Sequence, residues 1–150
     1  MRLPGPPGGG ASTPPSPRKI LLIDDNDDAR EMLGMALELK GHAIATAGSG
    51  PSGLAHADRF RPEFIFLDLG MPGMDGYDTA IALRRIAGLE RVTVVALSGW
   101  NDQATMARVR SAGFDHHLTK PASFDHIDQI LLGLMTPFAK PSLRQASRHL

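Results

Sequence analysis

Three apolar runs and one short strand-like stretch in this chain stop abruptly at residues that can do chemistry. Asp24-Asp25 follows Ile20-Leu-Leu-Ile23, Asp68 follows Phe64-Ile-Phe-Leu67, Ser98 ends the run that begins at Val92, and Lys120 follows Phe114 to Thr119. Three carboxylates, a hydroxyl and an ammonium are a working set for phosphoryl transfer with a hard cation. Mg²⁺ takes oxygen ligands in octahedral geometry and keeps several waters, so two or three carboxylates plus a carbonyl suit it. The cation and Lys120 would neutralise a phosphoryl group, while a carboxylate can serve as the nucleophile and form an acyl phosphate. An acid at a strand end is by itself more often solvated or capping than catalytic. Joint placement at four such ends is what carries the inference. Asp24, Asp25, Asp27 and Asp28 also crowd into five positions, which is costly unless a cation or solvent spreads the charge.

The three apolar runs are continuous rather than alternating, the pattern of strands buried on both faces. Helical periodicity fills the gaps between them. Ala29, Met32, Leu33, Ala36 and Leu37 give a stripe over about 27–40, capped by Asp27 or Asp28 and stopped by Gly41. Met35 and Leu39 fall off that stripe and form either a widened core face or a small exposed patch for a partner. A weaker strand over 42–47 leads to a helix over 52–60, ended by Arg61-Pro62. Further helices are expected over 77–86, from Asn101 or Asp102 to about Gly113, and from a Ser123 cap through Ile127, Ile130, Leu131 and Leu134. Five strands alternating with five helices imply an α/β fold, a parallel sheet covered by helices on both faces. Ligands of such sheets sit at the carboxyl ends of the strands, where the chemistry-bearing residues stop.

At 150 residues the chain suits one domain with tails. Residues 1–17 contain six prolines and four glycines and read as a disordered tail; residues 137–150, with Pro137 and Pro141, read as a flexible one. Arg2, Lys140, Arg144 and Arg148 lie in those tails, so residues 18–136 keep 12 basic and 16 acidic side chains, net −4. A basic nucleic-acid surface is not indicated there. With no cysteine there is no disulfide framework, and no apolar run approaches the roughly 20 residues of a membrane span. A soluble, cytoplasmic protein is expected.

Ile23-Asp24-Asp25-Asn26, Leu67-Asp68 with Met71-Pro-Gly-Met-Asp-Gly76, Ala96-Leu-Ser98 and Leu118-Thr-Lys120-Pro121 together resemble the receiver domain of two-component response regulators. The resemblance covers about residues 18–136 and implies a flavodoxin-like open five-stranded sheet in the order 2-1-3-4-5. It implies that Asp68 is the phosphoacceptor, and that Asp24, Asp25, Asp68 and the carbonyl of Gly70 hold Mg²⁺. It further implies that Ser98 bonds the phosphoryl group, that Lys120 is the invariant cation and that the bond to Pro121 is cis. His117 matches the switch position, where the family commonly has Tyr or Phe, and a polar, titratable ring there costs more to bury. His116 points to the opposite strand face, so the pair is a poor metal chelate. Gly70 and Trp100 match positions that set water access to the acyl phosphate.

The function so implied is a phospho-accepting signalling module that converts no external substrate. Its donor would be a histidine kinase or histidine phosphotransfer protein, and residues 101–134 would form the face presented to a target. The loop after Asp68 and the Gly113 to Pro121 ending are similar to receivers of hybrid sensor kinases. A monomer or weak homodimer is expected, acting by protein contact without an output domain of its own. The alternative is a Mg²⁺-dependent phosphatase with an Asp nucleophile; against it stands the lack of a second acid placed to protonate a leaving group.

Overall fold

Along β1 (Lys19–Ile23) the side chains divide between two cores. Leu21 and Ile23 go to one side and Ile20 and Leu22 to the other, all nearly inaccessible to solvent. The same division recurs in β3 (Phe64–Asp68), where Ile65 and Leu67 oppose Phe66, and in β4 (Thr93–Ser98), where Val94 and Ala96 oppose Val95 and Leu97. Burial of a large aliphatic side chain stabilises by roughly 1.5–3 kcal/mol, so strands apolar on both sides demand helices on both sides. The computed structural model describes residues 16–139. The expected tails therefore fall mostly outside the described residues.

β2 (Ala43–Ala47) and β5 (His116–Thr119) complete a five-stranded parallel sheet in the order β2-β1-β3-β4-β5. The helices are α1 (Asp27–Leu39), α2 (Gly50–Phe60), α3 (Gly76–Arg84), α4 (Gln103–Ser111) and α5 (Phe124–Leu131). Ala57 of α2, Ala80 and Leu83 of α3 and Val109 of α4 join one core; Leu37 of α1 and Ile127, Ile130 and Leu131 of α5 join the other. The fold is the flavodoxin-like doubly wound sheet that the sequence leads one to expect.

Helix ends and faces differ in detail from the sequence expectation. Asn26, rather than Asp27 or Asp28, caps α1: its side chain accepts from the Ala29 N–H at 2.9 Å, and the two acids occupy the first turn, where the helix dipole favours them. The buried face of α1 centres on Gly34 and Leu37, leaving Met32 71% exposed. Leu134 is exposed as well, because α5 ends at Leu131 and Gly133 turns the chain with φ +75°. Beyond residue 136 the chain still holds the domain: the Phe138 N–H donates to the Asp115 carbonyl at 2.8 Å, and its half-buried ring packs on the α2/α3/α4 core.

Candidate functional site

The parallel register brings the strand ends to one rim. Ile23 lies beside Leu67, Asp68 beside Leu97, and Ser98 beside Thr119. From there the ligand oxygens of Asp24, Asp25 and Asp68 come within 4.8 Å of one another. Asp24 and Asp68 are buried and Asp25 is exposed, so the cluster opens to solvent on one side. Lys120 reaches across from the end of β5. Its Nζ donates to Asp24 Oδ2 at 2.9 Å and stands 3.3 Å from Asp68 Oδ1. Burial alone would lower its pKa, but the Asp24 hydrogen bond and the charges of Asp68 and Asp24 outweigh that and raise it, so the ammonium stays charged.

Loops fix each group. The Asn26 N–H donates to Asp24 Oδ1 at 2.9 Å, so Asn26 caps α1 with its side chain and orients Asp24 with its backbone. The Gly70 N–H donates to Asp68 Oδ1 at 3.1 Å, which holds the backbone of residue 70 against the carboxylate. Gly76 lets the start of α3 close over the same strand end: a Cβ there would lie 2.5 Å from the Asp68 carbonyl oxygen. The Lys120–Pro121 peptide is cis.

Ser98 is buried and has three near partners. Its hydroxyl donates to the Trp100 carbonyl at 2.6 Å, its oxygen accepts from the Trp100 N–H at 3.3 Å, and His117 Nε2 lies 2.7 Å away. His117 therefore points inward at Ser98. Burial lowers its pKa, opposed by the Trp100 carbonyl, so the ring is neutral at neutral pH. The Trp100 indole is 70% exposed and lies in solvent. His116 is buried on the other face of β5, as its alternation with His117 requires.

Arg30 went unnoticed in the sequence. Its guanidinium donates to the Asp24 carbonyl at 2.7 Å and to Asp27 Oδ1 at 2.7 Å, pinning the acidic loop to α1. It supplies part of the countercharge that four acids in five positions require. A lone basic residue three after Asp27 was the available signal. A second unforeseen feature is an apolar groove of about 620 Å³ between α1 and the chain after β5, lined among others by Met32, Leu33, Pro121 and Phe124, with Asp24 and Lys120 also on its wall.

A cluster of oxygen ligands with a lysine across it suits a hard divalent cation and a phosphoryl group, and the donor set contains no sulfur or imidazole. A transcriptional regulatory protein of Streptomyces coelicolor, AfsQ1, is 31% identical over 123 residues, which are 81% of this chain and 53% of that protein. A probable transcriptional regulatory protein of Mycobacterium tuberculosis, TcrX, is 37% identical over 98 residues, 65% of this chain and 41% of that protein. The chain thus spans about half the length of these curated relatives. Among solved structures, the chemotaxis protein CheY4 of Vibrio cholerae superposes with a TM-score of 0.74 at 24% identity, covering 80% of this chain and all of that one. The receiver domain of sensor histidine kinase PA1611 of Pseudomonas aeruginosa, described with a magnesium ion coordinated in its active-site cleft, superposes with a TM-score of 0.70 at 26% identity over 79% of this chain and 99% of that one. The family model for the response regulator receiver domain matches residues 20–132, from β1 through α5. The chain therefore belongs to the response regulator receiver domain family.

Proposed function

We propose that this chain is a phosphorylation-driven switch in which Asp68 takes a phosphoryl group from a phosphohistidine. One observation carries the reading: three carboxylates face a single ammonium at the sheet rim, with Lys120 shared between Asp24 and Asp68. The Lys120 and Gly70 contacts fall on Asp68 Oδ1, so Oδ2 is the oxygen to attack phosphorus. The O–P bond forms as the donor's N–P bond breaks, leaving an acyl phosphate on Asp68 and the electron pair on the donor imidazole. Asp24, Asp25, Asp68 and the Gly70 carbonyl would hold Mg²⁺, which supplies charge neutralisation at the phosphoryl oxygens. Lys120 then exchanges a carboxylate for a phosphoryl oxygen, and Ser98 turns its hydroxyl to another.

The donor seats in the groove beside Lys120. Met32, 71% exposed, lines it on α1, and an apolar helix laid along that wall would hold its phosphohistidine over Asp68. Output leaves by residues 101–134. Helix α4 anchors itself with one buried residue, Val109, so its position shifts at low cost. The shift is a change in the populations of two states that differ in their contacts with the phosphoryl group. Within residues 18–136 a net charge of −4 favours protein over nucleic-acid partners. No described helix is long and apolar enough to cross a membrane.

Acetyl phosphate with Mg²⁺, followed by intact-mass measurement and peptide mapping, tests the reading. A single phosphoryl adduct on Asp68 is expected; no adduct, or one on another acid, overturns it. Sustained hydrolysis of a chromogenic phosphomonoester in the same buffer would point instead to a phosphatase.

A further inference from the structure

The hydrogen bonds around Ser98 fix where its proton lies. A hydroxyl oxygen and a carbonyl oxygen at 2.6 Å repel unless a proton lies between them, so the Ser98 O–H is committed to the Trp100 carbonyl. A serine hydroxyl has one proton to give and two lone pairs to fill. One lone pair takes the Trp100 N–H at 3.3 Å; His117 Nε2, at 2.7 Å, must bring its own proton to the other. Ser98 is then saturated, and its only route to a new acceptor is to release the Trp100 carbonyl.

We propose that His117 is a positioning residue that keeps an Nε2–H on the Ser98 oxygen in both states, so that the Ser98 proton alternates between the Trp100 carbonyl and a phosphoryl oxygen on Asp68. The inference rests on Asp68 as the phosphoacceptor and adds how its signal leaves the site. An apolar ring at 117 could only occupy or vacate the space beside Ser98. The imidazole instead stays inward and makes the hydroxyl a one-proton selector. The moving part is the segment from Gly99 to Asp102: losing the Ser98 bond frees the Trp100 carbonyl, and Asp102 caps α4 directly after it. The buried Ser98 and the half-buried His117 stay, while the exposed Trp100 and the start of α4 shift.

Nitrogen-resolved NMR of the histidine rings, in the free protein and with Mg²⁺ and beryllofluoride, reads the two states. The expected result is His117 protonated at Nε2 in both, with the Asn101 amide, which reports on the Trp100 carbonyl, shifting between them. An unprotonated Nε2 in the free protein, or loss of the Nε2–H bond with beryllofluoride, overturns the proposal. A second arm measures acyl-phosphate lifetime after acetyl phosphate. His117→Phe should change it about fivefold, the effect of one neutral hydrogen bond, and His117→Gln, which restores an N–H donor, should recover most of that. In a Ser98→Ala background the His117→Phe effect should vanish; an additive effect means that 117 acts by packing alone and overturns the proposal. If Asp68 takes no phosphoryl group, the phosphoacceptor reading falls, while the ring protonation in the free protein still decides whether His117 donates to Ser98.

Discussion

Charged groups meet at both ends of the sheet, and they meet differently. At the amino-terminal edge of β4 and β5, Arg84 pairs with Asp115 at 2.8 Å. The same carboxylate oxygen accepts the Val94 N–H at 2.9 Å, and the guanidinium also donates to the carbonyls of Val92, Gly113 and Glu90. One cation there faces one anion, and backbone groups take up the rest of the guanidinium. At the carboxyl edge, Lys120 faces Asp24 and Asp68, with Asp25 exposed beside them. Charge is balanced within the protein at the first pole and left negative at the second. A pole whose charges are satisfied internally holds strands together; a pole short of positive charge is poised to take a cation, and through it an anion.

Substituting one acid at each pole should give opposite outcomes. Asp68→Asn should abolish the phosphoryl adduct formed with acetyl phosphate, a complete loss read by intact mass. The same change should leave the melting temperature equal or higher, since it removes one of three crowded negative charges. Asp115→Ala should leave a partly buried guanidinium without its carboxylate and the Val94 N–H without its acceptor, and cost about 3 kcal/mol in urea unfolding, the low end for a broken buried pair. Its folded fraction should still be phosphorylated at Asp68. Destabilisation by Asp68→Asn as large as that by Asp115→Ala would erase the distinction between the poles.

Added Mg²⁺ comes next in size. A cation that binds only the folded carboxyl pole should stabilise by about 1.4 kcal/mol at ten times its Kd, seen as a rise in the urea midpoint. Asp25→Asn should shrink that gain and Asp115→Ala should leave it whole. Equal gains in wild type and Asp25→Asn would remove Asp25 from the cation site.

These poles were unequally legible in the sequence. Continuous apolar runs forced strands buried on two faces, and their ends placed Asp24, Asp25, Asp68, Ser98 and Lys120 on one rim, because parallel strands finish on the same side. The amino-terminal pole was invisible: Arg84 and Asp115 lie 31 positions apart, and no spacing rule joins a helix end to a strand start. The phase of α1 was misread for a related reason. Apolar counting set its stripe through Met32, whereas the helix turns Gly34 to the sheet, 3.6 Å from Leu22 by its would-be Cβ, and a glycine carries no apolar signal. The cap, Asn26, is masked in the sequence by the more conspicuous acids that follow it. Two of the three partners of Ser98 come from the Trp100 backbone, whose carbonyl and N–H almost any residue would supply.

The smallest effect expected is on pH, and it touches both poles. His42, just before β2 at the amino-terminal edge, His116, and His117 at the carboxyl site all have pKa values lowered by burial. Near pH 6.5, where the unfolded ring takes up a proton, each holds less proton in the folded protein. Stability should therefore be full above about pH 6.5 and decline as pH falls below it toward the folded values, because the unfolded state binds more protons in that window. His42 has the stronger claim to that slope. Asp128 opposes the effect of its burial, but Lys40 and Arg18 add to it, and its Nδ1 is occupied by the Arg18 N–H at 3.0 Å. His117 has a carbonyl beside it that favours protonation. His42→Asn, whose side-chain oxygen can take the place of Nδ1, should flatten the fall in melting temperature between about pH 6.5 and 5 more than His117→Gln does. A steeper loss of slope in His117→Gln would move the proton-sensitive pole to the carboxyl end of the sheet.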